Sequence, residues 1–411
     1  MYPRPIPVKK KARPHKRKHI ILSVGLITLA VAYSAIAFTR PFSQLTPSIT
    51  SDTLEITTQA STLPWPDYGQ AAFGVTSGKV IATHGEQEQV AIASVAKLIT
   101  ALVVLNQKPV TDGKGPSITM TEADAELYRT YVAMRGSVTP VAAGQVLTER
   151  QMLEAILLPS ANNVSDSLAI WAYGSIDAYL TAANAYLKEK GLINTKVGGD
   201  ASGYRADSVS TTSDLVKLGA LAMNNPLIAE IVGQKTAVIP GVGTVRNVNV
   251  LLGSNGIAGV KTGNNDENLG VFVGATTAQV GGKTITIISA LSGAPNLSTV
   301  LRDSNTFLAA ARTTFADTTI VSKDSVLGTY SQRTGQPIQA VASDNLSTIV
   351  LRGDTVKASI SLKPIGINAK AGDVVGTVSL PATDVSEARS VNAVLTQAPA
   401  KPSLWYRLTH P

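Results

Sequence analysis

Along most of this chain apolar residues come in short bursts, but residues 20–38 form one uncharged, mostly apolar run, IILSVGLITLAVAYSAIAF. Its length reaches the ~20 residues that a helix needs to cross a bilayer. Arg4, Lys9, Lys10, Lys11, Arg13, Lys16, Arg17 and Lys18 precede it with no acid among them. The positive-inside bias therefore predicts a basic cytoplasmic tail over residues 1–19, a transmembrane anchor over 20–38 and an extracytoplasmic remainder. A buried core helix would show an amphipathic period that this run lacks. Ala35-Ile36-Ala37 offers an A-x-A cleavage site, so a secretory signal is the rival reading. The long basic head and long apolar run favour a retained anchor. Residues 39–63 are rich in Ser, Thr and Pro without a sustained apolar period, and they read as a linker.

Beyond residue 64 the pattern changes. Ala71-Ala72-Phe73-Gly74-Val75 and Lys79-Val80-Ile81-Ala82 flank Thr76-Ser77-Gly78, which predicts a β-hairpin. The apolar stretch from Ser94 through Leu105 predicts a long helix. Thr148-Glu149-Arg150-Gln151 fits a capping box and opens a helix that runs to Leu158, where Pro159 forces a stop. Gly270-Val271-Phe272-Val273-Gly274 and Thr284-Ile285-Thr286-Ile287-Ile288 read as strands joined by a glycine turn. Strands at both ends with helices between them predict an α+β layered domain over residues 64–315, its early and late strands sharing a sheet. From about Thr318 the texture turns to short strand-like runs, such as Ser347-Thr348-Ile349-Val350-Leu351, and predicts a small β-domain over 318–411. Near the end, Trp405 and Tyr406 stand beside Arg407, as in a membrane-interface segment or a strap packed on the β-domain.

Composition trims the list of functions. At 411 residues the chain is long enough for more than one core. The formal net charge of +8 comes from the first 19 residues, because the 28 basic residues beyond them match the 28 acidic ones. No basic face is implied downstream, so nucleic acid is not an expected partner. Cysteine is absent, which excludes disulfides and thiolate chemistry. His15, His19 and His410 lie at the ends, leaving His84 alone near any catalytic region. A multi-histidine zinc site cannot be assembled there, and a Ser-His-Asp triad would have to use His84 or nothing. No metal or cofactor is expected.

Three short motifs carry candidate chemistry. Ser94-Val95-Ala96-Lys97 is S-x-x-K and occurs once. Positions i and i+3 of a helix share a face, so the Lys97 amine can reach the Ser94 hydroxyl. Apolar neighbours and a second cation would lower the lysine pKa, letting a neutral amine take the serine proton. Ser160-Ala161-Asn162 follows the break at Pro159 and can project a hydroxyl and a carboxamide into one cleft: Ser160 to relay a proton, Asn162 to hold the substrate backbone and Lys97. Two decoys of that spacing, Ser343-Asp344-Asn345 and Ser390-Val391-Asn392, read as turn residues of the β-region. Lys261-Thr262-Gly263 occurs once, on an expected edge strand. Lys261 and Thr262 suit a substrate carboxylate, and Gly263 would clear the way for a substrate strand lying alongside.

In this order the motifs resemble those of the penicillin-binding protein and serine β-lactamase superfamily, and within it the low-molecular-mass D-alanyl-D-alanine carboxypeptidases. The likeness extends through Ile92-Ala93-Ser94-Val95-Ala96-Lys97, Asp200-Ala201-Ser202-Gly203-Tyr204, Thr211-Thr212-Ser213-Asp214-Leu215, residues 247–252 and Gly259-Val260-Lys261-Thr262-Gly263. A weaker match at Ala371-Gly372-Asp373-Val374-Val375-Gly376 reaches the β-domain. The resemblance implies a β-lactamase/transpeptidase-like α+β fold, an antiparallel sheet with helices on both sides, followed by a small C-terminal β-domain. It implies Ser94 as nucleophile, Lys97 as base, Ser160 and Asn162 as the second catalytic element, and Lys261, Thr262, Gly263 and Asn264 as substrate-binding residues. The N–H groups of Ser94 and Asn264 would form the oxyanion hole. The activity implied is removal of the terminal D-Ala from peptidoglycan stem peptides through an acyl-enzyme, with β-lactams as inhibitors and the plasma membrane as support. A D,D-endopeptidase, a serine β-lactamase and a catalytically silent wall-binding protein are the alternatives. No E-x-x-L-N lies between Ser160 and Lys261, which argues against a class A lactamase, and the full set of motif side chains argues against silence. Members of the family usually follow the last glycine with an aromatic, histidine or similar residue and then threonine; here Asn264-Asn265-Asp266-Glu267 stands instead.

Overall fold

The computed structural model describes residues 3–5, 15–40, 42–265, 270–333 and 335–409, with the backbone alone for 15–19 and 404. The side chains of Lys9, Lys10, Lys11, Arg13, Lys16, Arg17 and Lys18, and all of Asp266, Glu267 and His410, lie outside the described residues. Helix α1 (His15–Thr39) holds the apolar run. Residues 20–39 have a mean hydropathy of 2.3, yet only 6% of that span is buried. A core helix of that composition would be covered by its own protein, so this one is consistent with a membrane anchor.

The stretch expected to be a linker is instead partly ordered into strands β1 (Pro47–Ser48) and β2 (Thr53–Thr57). In β2 Leu54 and Ile56 alternate with exposed Thr53, Glu55 and Thr57, and their apolar side pays for pairing with a distant partner. Next comes the expected hairpin, β3 (Gln70–Val75) and β4 (Val80–His84). A 3-10 turn at Ala93–Val95 leads into α2 (Ala96–Gln107). Helices α3 (Glu122–Ala133), α4 (Glu149–Leu157) and α5 (Asn162–Tyr173) follow. Thr148 and Gln151 make the capping box that opens α4, and the helix ends at Leu158 before Pro159. Helix α6 (Thr212–Asn224) precedes strands β5 (Ile257–Gly263), β6 (Gly270–Val280) and β7 (Lys283–Ala294), and α7 (Leu297–Ala311) ends this part.

These strands form an antiparallel sheet in the order β5-β6-β7-β3-β4. The early hairpin joins the late strands through β7 and β3, with Ala290 opposite Ala72. Alternation along β3 sends Ala72 to one face, with Leu215 and Val216 of α6, and Phe73 to the other, with Phe307 of α7. The Phe73 and Phe307 rings meet edge to face at 6.0 Å. Covered on both faces, the sheet presents β5 as one edge, and the helices α2, α4 and α5 stand beside it.

Beyond α7 the strands are β8 (Phe315–Val321), β9 (Val326–Tyr330), β10 (Ile338–Ala342), β11 (Leu346–Leu351), β12 (Thr355–Leu362), β13 (Val374–Leu380) and β14 (Arg389–Leu395). A seven-stranded sheet runs β1-β9-β10-β14-β13-β12-β2 around Tyr330, Ile338, Ala358 and Val378. Its outermost strands, β1 and β2, are separated in sequence only by residues 49–52. So short a connection spans at most about 18 Å, whereas a flat sheet of this width would separate its edges by about 29 Å. The sheet therefore curls, with residues 47–57 supplying both of its outer strands. Helix α8 (Leu404–Thr409) docks on the end of α1: Tyr33 Oη donates to Leu408 O at 2.7 Å, and Arg407 donates to Phe38 O at 2.8 Å.

Candidate active site

Ser94 sits in the 3-10 turn, entered through Ala93 at φ +46°, and α2 then carries Lys97 one turn on. Two glycines clamp this turn. A Cβ on Gly203 would lie 2.0 Å from Ala93 O, and one on Gly263 would lie 2.6 Å from Ile92 O. Gly263 therefore faces the nucleophile's turn, not the outer side of β5 where a substrate strand would lie. Close packing, rather than clearance for a substrate strand, is what excludes a side chain there.

Lys97 is fully buried, and its Nζ lies 2.8 Å from Ser94 Oγ, 2.7 Å from Asn162 Oδ1 and 2.9 Å from Ser202 O. Burial, and then repulsion from Lys261, hold its pKa well below the usual lysine value, against the weaker pull of Asp200 and Asp166. Two of the three partners, the amide and carbonyl oxygens, can only accept. A neutral amine has two N–H groups for them and turns its lone pair to the third, the hydroxyl, which can itself donate.

On the facing side, Ser160 takes a left-handed backbone, φ +67°, immediately after Pro159, and Asn162 starts α5. The Asn162 N–H is held by Ser137 O at 2.7 Å. Lys261, on edge strand β5, is also buried and donates to Ser160 Oγ at 3.0 Å and Thr262 O at 3.1 Å. Its burial pushes the pKa down to about 7. A cleft of about 490 Å³ opens above, lined by Ser94, Ser160, Asn162, Thr262 and Asn264 among others. The structure thus brings the eight candidate residues to one place, with Lys97, Lys261 and Gly263 packed beneath the lining. His84 lies exposed on β4, the opposite edge strand, stacked on Trp65 at 5.5 Å. Of the decoys, Ser343 and Asp344 lie in a bend and Asn345 accepts from Lys323 N, whereas Ser390 and Asn392 lie within strand β14, not in a turn.

Sequence reasoning missed the support of Lys97. Asp166, one turn after Asn162 on α5, accepts from Tyr131 Oη at 2.7 Å and from Ala201 N at 2.9 Å. Asp200 accepts from Ser202 N and Ser202 Oγ, both at 2.7 Å, which fixes the carbonyl that Lys97 uses. Burial pushes Asp166 up to about 6, while its hydrogen bonds work in the other direction. The available signal was the four-residue spacing of Asn162 and Asp166, a shared helix face. Arg135 and Ser137 of the cleft lining carried no motif of their own, and Tyr204 was flagged only within the family-like run Asp200-Ala201-Ser202-Gly203-Tyr204.

A family model described as D-alanyl-D-alanine carboxypeptidase matches residues 71–294, more than half of the chain. A D-alanyl-D-alanine endopeptidase of Pseudomonas aeruginosa is 32% identical over 154 residues, which cover 38% of this chain and 46% of that protein. The D-alanyl-D-alanine carboxypeptidase DacB2 of Mycobacterium tuberculosis is 29% identical over 239 residues, covering 56% of this chain and 77% of its own. Among solved structures, a peptidoglycan synthesis regulatory factor (PBP3) from Streptococcus pneumoniae is similar, with a TM-score of 0.57 and 21% identity over 82% of this chain and 99% of that one. At that identity the likeness is one of fold, and it extends the expected transpeptidase-like architecture over the β-domain as well.

Proposed function

We propose, from the premise that this chain belongs to the D-alanyl-D-alanine carboxypeptidase family, that it removes the terminal D-Ala from peptidoglycan stem peptides through an acyl-enzyme on Ser94. The partner set of Lys97 Nζ carries the reading, because it leaves a neutral amine's lone pair facing one hydroxyl. Ser94 Oγ attacks the penultimate D-Ala carbonyl while Nζ takes its proton. The C–N bond breaks, Ser160 relays a proton to the departing amine, and free D-Ala leaves. Water then hydrolyses the ester and restores the serine. Backbone N–H groups of Ser94 and Asn264, both at the cleft, would hold the oxyanion.

Lys261 and Thr262 receive the substrate's terminal carboxylate. Its negative charge restores the proton affinity that burial takes from Lys261, so substrate and cation stabilise each other. A β-lactam would acylate the same serine. The P. aeruginosa relative's name favours a second reading, endopeptidase action, in which the leaving amine belongs to a cross-linked side chain. We place the chain at the plasma membrane as a single-pass protein with its N-terminus cytoplasmic; the exposed apolar α1 and the basic residues before it support that orientation.

Labelling with a fluorescent penicillin tests the chemistry. The wild type should become covalently labelled and Ser94→Ala should not; an unlabelled wild type sinks the enzymatic reading. D-Ala release from a pentapeptide, compared with cleavage of a cross-linked dimer, separates the two peptidase readings.

A further inference from the structure

Arg135 lines the cleft together with Ser94, Ser160 and Asn162, and the mechanism above gives it no task. It follows Met134, the C-cap of α3, and stands at φ +56°, a backbone region that disfavours any residue with a Cβ. The loop that carries it is pinned on both sides. Tyr204 Oη donates to Met134 O at 2.7 Å, Gly136 N donates to Tyr131 O at 2.8 Å, and Ser137 O accepts from Asn162 N at 2.7 Å. A strained residue is thus fastened directly to the second catalytic element.

Its side chain is exposed, and among the described residues no carboxylate pairs with it. The described lining of the cleft contains no Asp or Glu at all. A guanidinium held over a polar cleft without a counter-ion is suited to an anionic group of the ligand. The terminal carboxylate is already met by Lys261 and Thr262 on the β5 wall. Arg135 stands on the wall built by the helices, beside Ser137 and Asn162, so the group it meets belongs to the part of the peptide retained on Ser94.

We propose that Arg135 is a specificity-determining residue that binds a second carboxylate, on the acyl side of the scissile bond, and so selects peptides with a free carboxylate there over their amidated counterparts. The inference rests on the carboxypeptidase reading.

Two synthetic peptides ending in D-Ala-D-Ala, identical except for a carboxylate or a carboxamide on the side chain preceding that pair, test it with the full chain. Release of D-Ala gives kcat/KM for each. The wild type should favour the carboxylate about tenfold, as one well-placed charge-assisted contact would give. Arg135→Gln should bring the ratio to about one, Arg135→Lys should keep part of it, and added salt should narrow it in the wild type. Equal rates in the wild type, or a preference that survives Arg135→Gln, overturn the assignment while leaving the carboxypeptidase reading intact. Release from neither peptide, with no penicillin labelling, overturns both.

Discussion

The catalytic domain and the curled β-domain bury different things. In the domain that holds the cleft, Lys97, Lys261, Asp166, Asp200, Asp214, Glu149 and Glu154 are all withdrawn from water. After residue 261 the described residues include no buried Lys, Arg, Asp or Glu, and the β-domain core is Tyr330, Ile338, Ala358, Val378 and their like. Burying a charge costs free energy that apolar packing does not. At the cleft that cost lowers the pKa of Lys97 and Lys261, and through Asp200 it holds the carbonyl that Lys97 uses. The buried charges of the described residues thus belong to one domain, and the core of the other is apolar.

The sharpest way to break this contrast is to remove the buried amine. Lys97→Met should slow penicillin acylation about 10³-fold or more, as loss of a positioned base does, while its urea midpoint stays close to that of the wild type. A large loss of stability would mean that Lys97 holds the fold rather than the reaction. The second test uses pH. Lys261 has its pKa lowered to about 7, so its charge is present below that value and lost above it. In free enzyme kcat/KM for peptide hydrolysis should therefore fall as pH rises through about 7. Lys97, also held well below the usual lysine value by burial and by Lys261, must be neutral to act as base, so its protonation sets the acid limb. Lys261→Arg should move the alkaline limb upward, and a limb that stays in place refutes the assignment.

From the β-domain the expected answer is the reverse. Ile338→Ala should cost about 2–5 kcal/mol by chemical denaturation, with the acylation rate of the folded protein unchanged. A change in acylation would show that the domain takes part in the chemistry. The smallest effect concerns Glu149, which is fully buried with neither carboxylate oxygen hydrogen-bonded among the described residues. Burial raises its pKa to about 7, so the folded state holds the proton over a range where the unfolded chain releases it. Its contribution is therefore harmless below the unfolded pKa near 4.5 and becomes destabilising as pH climbs to 7 and beyond. Glu149→Gln should be nearly neutral at pH 5 and should stabilise by about 1–3 kcal/mol at pH 8. Equal stability changes at both pH values would show that the carboxylate is solvated.

Much of the site was legible because its chemistry sits in contiguous runs. Ser94 and Lys97 share one helical turn, Ser160 and Asn162 share one loop, and Lys261 to Gly263 share one strand end. Each piece declares its own geometry. What brings the pieces together is long-range, and there the sequence was mute. Asp166, Tyr131 and Ala201 lie on three separate elements, and nothing local ties Tyr131 to α5. The strands at Pro47–Ser48 and Thr53–Thr57 were hidden for the same reason. Their partners lie nearly 300 residues later, Pro47 opposite Tyr330 and Ile56 opposite Val356, and two apolar residues in a Ser/Thr-rich run are too few to show a period. A glycine on an edge strand has two sides, and the sequence does not say which is crowded; at Gly263 it is the side facing Ile92.

That early pair of strands makes the whole catalytic domain a guest inserted into its neighbour. Residues 47–57 find their strand partners only in the last quarter of the chain, so the curled sheet is completed after everything between them has been made. A shortened protein beginning at residue 64 would keep every group of the cleft yet lose both outer staves, baring two sheet edges to any passing strand. Such a fragment would be prone to self-association, and a pull on the N-terminal helix would reach the curled sheet before the domain inserted into it.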